Sequence, residues 1–91
     1  MNREQRMNHL RKKILLLLIT RRMLGVETKE DFLRNNLKET DEMISEALLY
    51  LTEESAITKV GNAFYELTEE GASDESVYLA NLLAKMSIWC E

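Results

Sequence analysis

Apolar side chains recur near the start of the chain at the three- and four-residue steps of a helix. Met7, Leu10, Ile14, Leu17 and Leu18 share one face between about Arg6 and Leu24, while Leu15, Leu16 and Ile19 carry apolar surface onto the other sides. A helix that is apolar on several sides must be covered on several sides. Gly25 follows, in the position where a left-handed cap most often ends a helix. Thr28-Lys29-Glu30-Asp31 reads as the opening of a second helix, with Thr28 as N-cap and acids in the first turn. Phe32 and Leu33 anchor that helix, and Asn35-Asn36 turns the chain. Thr40 caps a third helix that runs to about Glu54, with Ile44, Ala47, Leu48 and Leu51 as its buried stripe.

Beyond Glu54 the period changes. Ile57-Thr58-Lys59-Val60 and Ala63-Phe64-Tyr65-Glu66-Leu67 are β-branched or aromatic runs on either side of Gly61-Asn62. A two-residue Gly-Asn link between such runs predicts a hairpin, with glycine supplying the positive φ. Thr68-Glu69-Glu70 then opens a last helix that is again apolar on more than one side. The expected fold is mainly α with a small β-hairpin, in the order α-α-α-β-β-α. Without repeats, low-complexity stretches or a linker, residues 1–91 read as one domain.

That order, with a tight turn between the second and third helices, resembles the winged helix-turn-helix pattern. Ala63-Phe64-Tyr65-Glu66-Leu67-Thr68-Glu69-Glu70-Gly71 resembles the "Y-x-L-T-x-x-G" ending of the wing strand in MarR-type and PadR-type regulators. The chemistry suits the motif. Tyr65 and Leu67 alternate inward from the strand, Thr68 caps the next helix, and Gly71 allows that helix to pack closely. The resemblance implies a basic N-terminal helix at 1–24, a helix-turn-helix at 28–54, a wing hairpin at 57–67 and a C-terminal helix at 68–90. It also implies a transcription regulator whose third helix faces the major groove of double-stranded DNA, through Asp41, Glu42, Ser45, Glu46 and Leu49.

Charge departs from that pattern. Residues 1–22 hold seven basic residues and one acid, a balance of +6, whereas the rest of the chain holds five basic and fifteen acidic residues, a balance of −10. Duplex DNA carries a negative charge about every 1.7 Å of axis, so an acidic third helix repels it unless cations elsewhere dock the protein. The candidate DNA contacts are therefore Arg3, Arg6, Arg11, Lys12 and Lys13 of the first helix, with Ser45 of the third helix and Lys59 of the wing. The charge split has a second reading, in which the basic helix is neutralised within the molecule or between subunits. Correspondingly, a protein-interaction module that presents Asp41, Glu42, Glu46 and Leu49 to a basic protein partner stands beside the DNA-binding reading.

The inventory for chemistry is thin. His9 and Cys90 are the only soft metal ligands and lie at opposite ends of the sequence, no phosphate-binding glycine loop is present, and no Ser, Thr or Cys has a histidine partner other than His9. The acidic pairs Glu53-Glu54, Glu69-Glu70 and Asp74-Glu75 sit at helix ends, where acids complement the dipole. The expectation is a protein that is not an enzyme and carries no metal or cofactor. Met7, Met23, Met43, Met86 and Trp89 are expected in the core or at a subunit contact. A domain of 91 residues buries only about 60–65% of its unfolded surface. The two helices that are apolar all round therefore predict a homodimer, with Leu15, Leu16, Ile19, Leu79, Leu82, Met86 and Trp89 at the interface. The longest apolar run, Ile14 to Ile19, is far short of the about 20 residues that span a membrane. With one free cysteine and no export signal, the expected location is cytoplasmic and the membrane is not an expected partner.

Overall fold

The computed structural model describes residues 2–73. Helix α1 spans Arg3–Met23 and begins at a capping box. Asn2 Oδ1 accepts from the Gln5 backbone N–H at 2.8 Å, and Gln5 Oε1 accepts from the Asn2 N–H at 3.1 Å. These bonds satisfy donors that a helix start leaves without partners, so the helix begins ahead of Arg6. At the other end Gly25 has φ +71°, and the N–H groups of Gly25 and Val26 donate back to the carbonyls of Arg22 and Arg21 at 3.0 and 2.9 Å. This is the double-bonded left-handed cap that glycine adopts without strain.

Thr28 is not the N-cap of the second helix. Thr28–Lys29 forms a short strand, β1, and Thr28 is buried with its Oγ1 accepting from Arg21 Nε at 3.1 Å. Helix α2, Glu30–Asn36, starts without a side-chain cap. Its first N–H, that of Glu30, donates instead to the Ala63 carbonyl of the hairpin turn at 2.7 Å. A long-range backbone acceptor thus replaces the local hydroxyl, which is what frees Thr28 to be buried.

Helix α3, Asp41–Glu53, has the expected cap: Thr40 Oγ1 accepts from the Met43 N–H at 3.2 Å. Met43, Ile44, Ala47, Leu48 and Leu51 are all buried. The helix ends at Ser55, a non-glycine residue with φ +62°, while the Ala56 N–H bonds back to the Leu51 carbonyl at 2.9 Å. Strands β2, Ile57–Val60, and β3, Phe64–Leu67, pair antiparallel with Val60 opposite Phe64. The link is therefore residues 61–63, not Gly61-Asn62 alone, and Ala63 belongs to the turn. Gly61 takes the expected positive φ, +64°. Strand β1 pairs with the other edge of β3, giving an antiparallel sheet in the order β1-β3-β2. The chain is thus mainly helical with a small three-stranded sheet.

Helix α4 is described over Glu69–Ser73. Thr68 Oγ1 accepts from the Gly71 N–H at 3.0 Å, as an N-cap should. Gly71 is buried against the Ala56 carbonyl, and a Cβ there would stand 2.2 Å from the Ala56 oxygen. The remainder of the helix expected over 68–90 lies outside the described residues.

Helix α1 lies across α3 and the sheet. Met7, Leu10, Ile14 and Leu18 meet Leu33, Ile44, Ala47, Leu48, Leu51, Ile57 and Tyr65 in one apolar cluster. Leu15 and Ile19 belong to the same cluster, at 8% and 6% exposure. They lie in this chain's own core, and the α1 part of the expected dimer surface is reduced to half-buried Leu16. The reason is that α1 packs against both α3 and β3, so two sides of the helix are covered internally. Leu79, Leu82, Met86 and Trp89 lie outside the described residues. Of the methionines, Met7 and Met43 are core residues, whereas Met23 is exposed. Among the described residues no helix is long and apolar enough to cross a membrane, and no three His, Cys, Asp or Glu side chains gather as a metal site.

Candidate functional site

The outer face of α3 carries Glu42, Ser45, Glu46, Leu49 and Glu53, all exposed and spaced at helical steps. Leu49 is 60% exposed and its neighbour Tyr50 44%, the two large apolar side chains that α3 leaves open. Both follow from the wheel: the core stripe at 44, 47, 48 and 51 occupies one side and turns 49 and 50 away from it. The Arg11 guanidinium lies over the Tyr50 ring at 4.1 Å, a contact that steadies the ring without covering Leu49. The outer stripe of α3 thus sets Leu49 between Glu46 and Glu53, with Tyr50 beside it on the Arg11 side.

The sequence-predicted cations are largely engaged inside the molecule. Arg3 donates to both carboxylate oxygens of Glu46, and Arg6 Nη2 meets Glu39 Oε1 at 2.7 Å. The hydrogen bond from Arg3 holds the Glu46 carboxyl below the usual carboxylate range, outweighing a smaller opposing effect of burial. Arg11 also donates to Asn8 Oδ1. Lys59 lies 3.5 Å from Glu30 Oε1, and Ser45 Oγ accepts from Arg34 Nη2 at 2.8 Å. Lys12 and Lys13 are exposed and form no ion pair among the described residues. Of the acids, Asp41 accepts from Arg34 through its carbonyl at 3.0 Å and its Oδ1 at 3.4 Å, and Glu46 holds Arg3. Two of the seven basic residues in 1–22, Arg3 and Arg6, are thus paired with carboxylates of the α2–α3 region.

Behind that face sits a polar cluster that sequence reasoning missed. Glu30 accepts from Arg34 Nε at 3.2 Å, from the Tyr65 hydroxyl at 3.2 Å, and lies beside Lys59. Burial pushes the Glu30 carboxyl up, but the bonds from Arg34 and Tyr65 and the two cations together bring it below its usual value. Burial, followed by the charge of Glu30 and the bond to it, pushes the Tyr65 phenol up. Glu30 thereby ties α2 to β3, and Arg34 ties α2 to the start of α3. The Glu30–Arg34 spacing of four residues was a local signal for one of these contacts; the other three cross between elements.

Arg21 plays a similar part at the end of α1. Its Nη2 donates to the Glu27 carbonyl at 2.7 Å, and its guanidinium stacks on Phe32 at 3.7 Å. Comparison of the chain with protein-family models, curated proteins and solved structures gives no match.

Proposed function

We propose that this chain is a non-catalytic interaction module on a winged-helix type of scaffold, and that the outer face of α3 docks a basic, amphipathic segment of a protein partner. The scaffold reading is supported by the element order α1-β1-α2-α3-β2-β3-α4, the strand order β1-β3-β2, and Thr68 and Gly71 closing the hairpin onto α4. One observation carries the function: Leu49 and Tyr50 are exposed side by side on α3, Leu49 in line with Glu42, Glu46 and Glu53. An apolar anchor with a charged rim is the anatomy of a protein interface, and carboxylates select a cationic partner by charge complementarity. Scattered single apolar residues are ordinary on a surface; an adjacent exposed pair beside a stripe of carboxylates is the informative case.

A second reading, a DNA-binding transcription regulator, is favoured by the exposed Lys12 and Lys13, which lack carboxylate partners among the described residues. Each phosphate neutralised contributes a salt slope of about −0.9, so two lysines give a slope near −2 and weak, nonspecific affinity. The two readings separate in one experiment. A fluorescent amphipathic Lys/Leu peptide and a labelled duplex are titrated in parallel at about 50 and about 200 mM salt. The interaction reading expects saturable peptide binding that Leu49→Ser weakens about fivefold, the equivalent of about 1 kcal/mol for an interface anchor. Duplex binding that survives Leu49→Ser but is lost in Lys12→Gln/Lys13→Gln, with no peptide binding, replaces it with the DNA reading.

A further inference from the structure

A recess of about 250 Å³ opens between α1 and the α2–α3 turn, away from Leu49 and Tyr50. Arg6 and Lys13 line it from α1, Lys38 and Glu39 from the turn, and buried Leu10 and Leu37 contribute to its wall. The Arg6–Glu39 ion pair joins the two sides at 2.7 Å, with Glu39 mostly covered. That pair sets the geometry and cancels its own charge. Lys13 and Lys38 remain, and neither forms an ion pair among the described residues.

We infer that this recess binds a phosphomonoester dianion, free or carried on a small organic molecule. The charge balance supports the assignment. Three cations and one carboxylate leave +2, and a phosphomonoester carries about −1.5 to −2 at neutral pH, so the anion matches both lysines. A phosphodiester carries one charge per phosphate and leaves a lysine uncompensated. Lys13 from α1 and Lys38 from the turn line the one recess, and compact ammonium groups suit phosphate oxygens. The volume accommodates the phosphate with part of a sugar, at the small end of ligand sites. This site is separate from the α3 face, so its success or failure does not bear on the proposed partner.

The chain's single histidine, His9, lines the same recess and supplies a reporter. Its imidazole proton resonances are followed during titration of the full chain with inorganic phosphate and, separately, ribose 5-phosphate, at fixed pH and ionic strength. Saturable shifts are expected. Lys13→Gln and Lys38→Gln should each raise Kd about fivefold, the effect of about 1 kcal/mol for an exposed charge contact, while Arg22→Gln, exposed on α1 but outside the recess, leaves Kd unchanged. Equal Kd for the two ligands assigns the bare dianion; tighter binding of ribose 5-phosphate assigns the organic monoester. Shifts reproduced by sodium chloride at matched ionic strength overturn the inference. So does equal weakening by Arg22→Gln, or a DNA duplex that moves His9 at lower phosphate concentration than either monoester.

Discussion

Replacing Gly71 by alanine places a methyl group where the fold has no room. The new Cβ stands 2.2 Å from the Ala56 carbonyl oxygen and 3.0 Å from both the Ala56 carbonyl carbon and Leu67 Cδ1. Leu67 can rotate, but a backbone carbonyl must be pushed about 1 Å to restore an ordinary C···O separation of about 3.3 Å. That carbonyl accepts from the Thr68 N–H and from Thr68 Oγ1, both at 3.0 Å. The displacement therefore strains the hairpin-to-helix junction by about 1–3 kcal/mol and weakens two hydrogen bonds worth about 1 kcal/mol each. Against this, alanine gains up to about 1 kcal/mol over glycine in a helix. The strain wins, and the net loss is about 2–3 kcal/mol. For a domain of this size that lowers Tm by about 10–20 °C. Thermal melts by circular dichroism and urea midpoints read it, with exposed Ala72→Gly as a comparison expected to cost under about 1 kcal/mol. A Gly71→Ala chain that melts at or above the parent temperature refutes the close approach of α4 to Ala56.

Four further outcomes follow from the geometry. Ser55 sits at φ +62°, so Ser55→Gly should stabilise the chain by about 1 kcal/mol, measured as a higher urea midpoint with unchanged slope; destabilisation would show that the Ser55 side chain matters more than its backbone strain. Glu30 is held below its usual value, so its contribution to stability is present above the unfolded carboxyl pKa of about 4.3 and is lost as pH falls through the lower folded value. Glu30→Gln should accordingly be less stable than the parent near neutral pH by less than about 1 kcal/mol and converge with it in acid, and a gap that persists in acid would rule out charge as the cause. Ile44 is fully buried, and Ile44→Ala should cost about 2–5 kcal/mol in chemical denaturation. Arg3→Ala removes the cation bonded to Glu46 and should tighten binding of the Lys/Leu peptide, read by anisotropy; weaker binding would mean that Arg3 belongs to the docking surface.

Much of the scaffold was legible locally. The period of Met7, Leu10, Ile14 and Leu18, the stripe at Ile44, Ala47, Leu48 and Leu51, Gly25 as a left-handed cap, Thr40 and Thr68 as N-caps, and Gly61 in the hairpin turn all depend on residues a few positions apart. Such preferences act before any tertiary contact forms, so each can be read from a short window. The close packing expected of Gly71 also appears, although its neighbour, Ala56, lies far off in the chain. Strand β1 had no such signal: two residues, Thr28–Lys29, are extended because β3 offers them an edge, and the hairpin turn caps α2 in place of Thr28.

The surface was decided by the tertiary structure. Composition placed an excess of cations in the first helix and an excess of acids after it, and left open whether the two would meet. Their meeting rests on how α1 crosses α3, which brings Arg3 to Glu46 and Arg6 to the turn at Glu39 across long stretches of sequence. The same crossing buries Leu15 and Ile19, which the helical period alone could not assign to core or partner. Over the described residues the sequence by itself determined where α1 and α3 lie and which of their positions are apolar, because those properties are short-range. Which charges remain free, which apolar residues remain exposed, and that Arg11 meets Tyr50 while Lys13 and Lys38 share a recess were decided by packing, because each requires two elements to approach through space.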